Sequence, residues 1–225
     1  MAKTNQIPAK AETAKDDASS ATRSDARARK AAARREAILS AALDEFSARG
    51  FTAARLEDVA ARADVAKGTI YLHFADKEAL FQEIVRTMIV PVIAVVELKP
   101  PPEVPTRVVL EGLIEIFVRE VYGSRRRDVI RLMMTEGPRF PALAEFYYRN
   151  VIERALGAMR GLLQRAVTRG EISPDTPLLK FPQLIVTPGL FAIIWSGLFD
   201  RFDPVDVRAL MRAQLDFIFG KERAP

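Results

Sequence analysis

The sequence predicts an all-α protein. Apolar residues recur three and four positions apart through most of the chain, and no segment shows the strict alternation of a sheet strand. Glycines and prolines fall where these helical patterns stop and start. Hydrophobic residues make up 49% of the 225 residues, enough for the core of one or two domains. We expect about nine helices, divided between a three-helix head near the N terminus and a larger helical domain behind it.

Residues 1–30 are predicted to form a disordered basic arm. They contain no aromatic side chain and very few large apolar ones, so they cannot bury a core. No apolar stretch typical of a signal peptide occurs among them. Basic side chains concentrate between Arg23 and Arg35. This cluster permits two interpretations: a solvated tail, or an arm that follows the backbone or minor groove of DNA.

Residues 31–78 are predicted to form the head, which begins with one long helix. That helix is expected to run from near Ala31 to Arg49, with Gly50 just past its end. Its role is to support the two short helices that follow. The apolar face that it buries consists of Ile38, Leu39, Ala42, Leu43 and Phe46.

Two short helices with a tight turn between them follow in the head. Asp64 opens the turn, and the second helix begins at Lys67 with Ile70 and Phe74 facing inward. Two short helices joined by a turn of about three residues form a helix-turn-helix, whose second helix enters the major groove of DNA. Asp76 is a good N-cap for the next helix. The buried face of the first short helix consists of Leu56, Val59, Ala60 and Ala63.

The head resembles the TetR-type transcriptional regulators, over about residues 34–82. The residues that match their pattern are Gly50-Phe51, Val59-Ala60, Ala63, Val65, Gly68-Thr69-Ile70-Tyr71, His73-Phe74, Lys77-Glu78 and Leu80. Three positions depart from it: Asp64 replaces the usual turn glycine, Ala66 a Ser or Thr cap, and Arg55 a usual Thr or Ser. Because Asp tolerates left-handed backbone better than most residues, we expect the turn to be kept.

The candidate DNA-binding residues are Arg55, Lys67, Gly68, Thr69, Tyr71, His73 and Lys77. Lys67 and Thr69 are the predicted base readers, since an ammonium can donate to guanine and a threonine methyl can meet a thymine methyl. The resemblance implies that Tyr71, His73 and Lys77 reach phosphates. For His73, the alternative is a surface or packing role.

Residues 79–225 are predicted to form a helical ligand-binding and dimerisation domain. The helix that begins at Lys77 leaves the head and enters this domain, so it is the predicted carrier of coupling between the two. Pro91 is expected to bend or interrupt it. The prolines between residues 100 and 105 form a stiff connector. Further helices are expected after Pro105, after Ser124, from about Pro141 to Arg169, and after Asp203.

Residues 181–199 contain no charged side chain, which is compatible with a membrane span. Pro182, Pro188 and Gly189 interrupt the segment, so we interpret it as a helix of a soluble protein that a partner subunit covers. With the last helix it would form the four-helix interface of a homodimer, as the resemblance also implies. The candidate interface residues are Ile194, Leu198, Val207, Met211, Gln214 and Ile218.

Large, adaptable side chains concentrate among the helices of the second domain. They are Phe117, Met133, Met134, Tyr147, Phe191 and Trp195. One explanation is ordinary core packing. The other is a pocket for an apolar or aromatic small molecule, which the resemblance favours.

The sequence offers little for catalysis, since it has no cysteine, a single histidine, no Gly-rich phosphate loop and no GxSxG elbow. We therefore expect no enzyme, metal site or cofactor, and the lack of cysteine suits a cytoplasmic protein. The predicted function is a homodimeric repressor of a palindromic DNA operator, released by a small apolar or aromatic effector. The alternative is a helical ligand-binding or interaction protein of the same fold without sequence-specific DNA binding, suggested by Asp64 and Ala66.

Overall fold

The computed structural model describes residues 10–220, with side chains from residue 25. All regular structure in this range is helical, which confirms the predicted fold class. Nine helices follow one another: α1 (Lys10–Ala53), α2 (Leu56–Arg62), α3 (Lys67–His73), α4 (Lys77–Val96), α5 (residues 106–122), α6 (Arg126–Glu136), α7 (residues 141–168), α8 (Gln183–Leu198) and α9 (Val207–Phe219). Turns of π-helix lie within α4 (Val85–Ile89), α5 (Phe117–Tyr122) and α7 (Tyr148–Ile152), and 3-10 turns occur at Gly137–Arg139 and Pro177–Leu179.

The first helix is longer than the sequence predicts. It begins at Lys10, so the predicted start near Ala31 is wrong. Residues 1–9 of the predicted N-terminal arm lie outside the described residues. Residues 26–37 consist of Ala, Arg, Lys and Glu, which have high intrinsic helix propensity, so they extend the helix that is packed from Ile38 onward. Residues 25–37 are exposed, and Arg35 among them pairs with Glu83 of α4 at 2.7 Å and lies over the Phe74 ring. The buried part of α1 begins at Ile38.

The turns of the head follow the predicted chemistry. Asp64 is the one described non-glycine residue with a positive φ, 53°, so it occupies the left-handed position of the helix-turn-helix turn. Gly50 has a φ of 76° and redirects the chain near the end of α1, before the final turn of that helix. The carboxylate of Asp76 accepts a hydrogen bond of 2.7 Å from the amide of Ala79 and caps α4 as expected.

Pro91 does not break α4. The π-helical turn just before it lets Val90 donate to the carbonyl of Val85, five residues back, and the helix continues to Val96. Over Lys77–Val96 the mean hydropathy is 1.8, so length and composition alone would allow a membrane span. The buried side chains of α4 pack in the core of the fold instead; they are Leu80, Phe81, Ile84, Val85, Ile89 and Ile93.

Two hydrophobic clusters hold the helices together. The first joins the head to α4, α6 and α7, and includes Phe46, Phe51, Leu132 and Tyr147. The second joins α5, α7, α8 and α9. Because the first cluster crosses the predicted boundary near residue 78, the head and the adjoining part of the second domain share one core.

Helix α6 forms a further connection to the head that the sequence analysis did not predict. At its start, Arg125 donates to the hydroxyl of Ser40 at 2.6 Å and pairs with Asp44, both on α1. At its far end, Phe140 packs edge-on against Phe51 with ring centroids 4.7 Å apart. The residues at both ends of α6 therefore contact α1.

Gly157 and Gly161 lie four residues apart in α7, a spacing that often marks close approach of two helices, but no such approach occurs at them among the described residues. Both glycines are exposed, and a Cβ built on either would meet no atom within 4 Å.

Candidate DNA-binding surface and ligand cavity

The helix-turn-helix is held on α1 by apolar contacts and one buried carboxylate. Ile70 of α3 and Val59 of α2 are fully buried in the first cluster. Glu45 of α1 is 1% exposed and accepts a hydrogen bond from Arg62 of α2 at 3.2 Å. Arg49 lies 3.0 Å from its other oxygen, in ion-pair contact without hydrogen-bond geometry. A buried carboxylate needs such partners, so these arginines fix α2, and through it α3, relative to α1.

The predicted DNA-binding residues share the outer surface of the head. Arg55, Lys67, Gly68, Tyr71 and His73 are exposed, whereas Thr69 is partly buried on α3. The helical spacing explains this arrangement, since Ile70 and Phe74 set the buried side of α3 and leave the intervening positions outside.

A carboxylate that the sequence analysis missed lies between two of these candidates. Glu57 of α2 pairs with Lys67 at 2.8 Å and accepts a hydrogen bond from the hydroxyl of Tyr71 at 3.1 Å. The hydrogen bond from Lys67, with further bonds from a backbone amide and from Tyr71, lowers the pKa of Glu57 to about 2. Glu57 is thus charged at neutral pH, and it holds the two side chains in place on the exposed surface.

Lys77 has a different environment from the one predicted. Its ammonium donates to the carbonyl oxygens of Phe51 at 2.7 Å and Thr52 at 2.8 Å, and it lies 5.1 Å from the centre of the Phe51 ring. Two of its three donors therefore stabilise the end of α1. The expected contact of Lys77 with a phosphate stays a prediction.

Leu72 is a second residue that the sequence analysis missed. It is 84% exposed on α3, between Tyr71 and His73. The spacing of Ile70 and Phe74 already indicated that position 72 faces outward. An exposed leucine beside polar groups can make apolar contact with a thymine methyl.

The second domain encloses a cavity of about 310 Å³. Helices α4 to α9 all contribute to its wall, and no charged residue does. The wall consists of Ile89, Val92, Ile93, Val96, Leu110, Leu113, Ile114, Ile116, Phe117, Val121, Ile130, Tyr147, Val151, Ile152, Ala155, Leu156, Met159, Gln183, Ile185, Val186, Thr187, Gly189, Leu190, Met211 and Leu215. The volume is at the small end of the range for small-molecule sites.

Two of the six predicted ligand residues, Phe117 and Tyr147, line this cavity. A Cβ on Gly189 would lie 2.9 Å from the Phe117 ring, so the glycine permits the ring to approach α8. Tyr147 is 8% exposed, and burial raises the pKa of its hydroxyl.

The other four predicted ligand residues lie outside the cavity wall. Met133 packs against the first cluster, and Met134 is exposed. Phe191 and Trp195 pack on each other at 5.4 Å, and the indole of Trp195 donates to the carbonyl of Asp203 at 2.6 Å. Phe191 is 45% exposed and Trp195 is half-buried, and neither lines the cavity.

An apolar strip runs along the outside of α8. It consists of Leu184, Phe191, Ile194 and Leu198, all at least 43% exposed and three, four or seven positions apart. Phe217 of α9 is 91% exposed. Among the predicted interface residues, Ile194 and Leu198 belong to this strip, whereas Val207 is buried within its own chain, and Met211 and Ile218 pack on the second cluster. Gln214 of α9 donates to the carbonyl of Leu184.

In this chain a helix-turn-helix head shares its core with a helical domain that surrounds an apolar cavity, which places the chain among the all-α helix-turn-helix proteins. Comparison with known proteins gives the family. A family model described as "Bacterial regulatory proteins, tetR family" matches residues 38–84, and one described as "Tetracyclin repressor-like, C-terminal domain" matches residues 101–214. The chain belongs to the TetR family, which confirms the resemblance seen in the sequence.

Curated relatives are regulators of the same type. The HTH-type transcriptional regulator RutR of Escherichia coli (strain K12) is 44% identical over 63 residues, which are 28% of this chain and 30% of RutR. The matched part is thus under a third of that relative's length. The HTH-type transcriptional regulator UidR of Escherichia coli (strain K12) is 31% identical over 146 residues, 63% of this chain and 70% of UidR.

Solved structures share the fold. The complex of SmeT with triclosan has a TM-score of 0.70 at 21% identity, covering 86% of this chain and 99% of that one. SmeT is described as the repressor of the Stenotrophomonas maltophilia multidrug efflux pump SmeDEF. Salmonella enterica GusR has a TM-score of 0.65 at 24% identity, covering 83% of this chain and 95% of that one.

Proposed function

We propose that this chain is a homodimeric, cytoplasmic transcriptional repressor that binds a palindromic DNA operator and is released from it by a small apolar or aromatic effector. One observation carries the proposal. Helix α4 places Leu80 and Phe81 in the core of the head, and Ile89 and Ile93 in the wall of the cavity. A ligand that favours one position of α4 therefore changes how α4 packs against the helices that face DNA.

The DNA-binding part of the proposal depends on the surface of α3. Lys67, Gly68, Tyr71 and His73 are exposed together there, and the turn before them keeps its left-handed residue at Asp64. The preserved turn supports this function over the alternative of a related fold without sequence-specific DNA binding. Ala66, which gives α3 no side-chain cap, still favours that alternative.

The dimer part of the proposal depends on the strip along α8. Exposed apolar side chains in such a row are costly in water, and a two-fold axis lets the same strip cover itself in a second copy. The two heads would then meet half-sites about 34–36 Å apart, or a multiple of that distance.

The effector part of the proposal relies on linkage. A ligand that binds better to the conformation unsuited to DNA must weaken operator affinity, and DNA must weaken ligand affinity by the same factor. Helix α6 supports the same conclusion, since Ile130 lines the cavity while its neighbour Val129 is buried in the core shared with the head.

The test of DNA binding is selection of operator sequences from random duplexes with the full-length protein, followed by salt titrations on selected and scrambled duplexes. We expect selected palindromes to bind at least about 1,000-fold more tightly than scrambled duplexes, both with steep salt dependence. Equal affinity for selected and scrambled duplexes would favour the alternative function.

A further inference from the structure

One polar group in the wall of the cavity has no hydrogen-bond partner among the residues that the structure describes. The hydroxyl of Tyr147 takes part in no hydrogen bond with any side chain or backbone group that the structure describes. The residue is nevertheless 8% exposed and lines the cavity. Buried hydroxyls are normally paired, because an unmade hydrogen bond costs free energy. Because Tyr147 lines the cavity, a group bound there can satisfy this hydroxyl.

The Tyr147 hydroxyl is available as a hydrogen-bond donor at neutral pH. Burial raises the pKa of the phenol, so the group stays protonated. A protonated phenol both donates and accepts, but an ionic ligand would need more than one neutral partner. The polar group that fits is a single, uncharged acceptor.

The rest of the wall excludes ions. None of its residues is Asp, Glu, Lys, Arg or His, so a charged ligand would lose its water without gaining a counter-charge. The remaining polar side chains of the wall, Gln183 and Thr187, are solvent-exposed and lie at the start of α8. The hydroxyl of Thr187 already donates to the carbonyl of Gln183 at 2.9 Å. Gln183 and Thr187 therefore lie at the solvent-exposed edge of the cavity wall, whereas Tyr147 lies in its buried part.

We propose that the cavity binds an uncharged, largely apolar molecule with one hydrogen-bond acceptor, and that the Tyr147 hydroxyl donates to this acceptor. The proposal rests on the proposed function, since it names the chemistry of the effector. Tyr147 would then favour a neutral ligand with a hydrogen-bond acceptor over a plain hydrocarbon and over an ionic ligand.

Three probes with the same ring system test this chemistry: naphthalene, 2-naphthol and 2-naphthoate. Calorimetric titration of the full-length protein at neutral pH is expected to show 2-naphthol binding about 3- to 10-fold more tightly than naphthalene, with 2-naphthoate weakest. Tight binding of 2-naphthoate, or no binding of any probe, would overturn the proposal.

The matched variants are Tyr147→Phe and Tyr148→Phe. Tyr148 is the next residue and is 52% exposed, so its variant removes the same atom from the surface. Tyr147→Phe should make the affinities for 2-naphthol and naphthalene equal, whereas Tyr148→Phe should keep the preference. An unchanged preference in Tyr147→Phe would overturn the role of this hydroxyl. Should Tyr147→Phe fail to fold, the order of the three probes on the wild-type protein still decides the chemistry of the site.

These titrations contain no DNA, so they separate this inference from the proposed function. If the probes bind in the predicted order but leave operator affinity unchanged, the effector role fails and the cavity chemistry stands. If an ionic compound binds in the cavity and releases the operator, the proposed function stands and this inference fails.

Discussion

At the scale of single residues, Glu57 is the group whose role changes most with the structure. In the sequence it is one of several acidic residues in a nearly balanced head. In the fold its carboxylate contacts Lys67 and Tyr71, both candidates for DNA contact. Its pKa near 2 means that it stays negative at any pH used for DNA binding. It therefore orients Lys67 and also opposes the approach of phosphates.

Glu57→Gln should raise affinity for random duplex DNA. The change removes a negative charge from the surface and frees Lys67, so the slope of log affinity against log salt should steepen by up to about one unit. Discrimination between operator and random DNA should fall, because Lys67 loses its fixed position. Glu153→Gln is the control, since Glu153 is exposed on α7 and the charge change is identical. Equal effects of the two variants in salt titrations would contradict this role.

Lys77→Ala should destabilise the head. The carbonyls of Phe51 and Thr52 lose the charged donor that now binds them, at a cost of about 1–2 kcal/mol in the free energy of unfolding. Lys99→Ala removes the same charge from the exposed connector and should leave stability unchanged. Urea unfolding measures both. A Lys77 variant as stable as the wild type would mean that the ammonium is free for DNA after all.

At the scale of elements, α8 shows what periodicity can and cannot predict. The sequence indicated a helix without charges that needs cover on all sides, and the structure places Ile185, Gly189 and Ile193 inward. The sequence could not indicate which large residues face the cavity. The reason is that α8 is apolar around its whole circumference and has no polar side that would orient it. Phe191 and Trp195 were therefore predicted as ligand residues, although neither lines the cavity.

Gly189→Ala should reduce both stability and cavity size. The new methyl would displace the Phe117 ring, and overpacking of this kind costs about 1–3 kcal/mol in the free energy of unfolding. Gly161→Ala is the matched control on α7, where a methyl meets no atom within 4 Å. An exposed helical glycine replaced by alanine should stabilise by about 0.5–1 kcal/mol. Thermal unfolding should thus shift in opposite directions, and shifts of the same sign would contradict the packing at Gly189.

The same limit applies to α1. Its apolar face from Ile38 onward was predicted correctly, because amphipathic spacing shows where a helix packs. The start of α1 was not, because residues 25–37 are exposed and show no apolar pattern. Contacts between distant residues, such as Glu57 with Lys67 or Lys77 with the end of α1, depend on the angles between helices, which spacing along the chain does not encode.

At the scale of the whole molecule, the proposed binding to a palindromic operator requires two copies of the chain. Ile194→Glu places a charge in the strip on α8, where it would be buried without a partner if a second copy covers the strip. We expect this variant to sediment as a monomer and to lose most operator affinity. Val108→Glu is the control, because Val108 is an apolar residue of α5 that is 48% exposed and outside the strip. A dimer that persists in Ile194→Glu would place the interface elsewhere.

Occupation of the cavity and binding of DNA are expected to oppose each other, because both depend on the position of α4. The direct measurement is operator affinity, by fluorescence anisotropy of a labelled duplex, with and without a saturating neutral ligand that binds in the cavity. We predict a loss of about 5- to 150-fold on ligand binding, matched by an equal loss of ligand affinity when operator is bound. Operator affinity that is unchanged by a ligand shown to occupy the cavity would contradict the account.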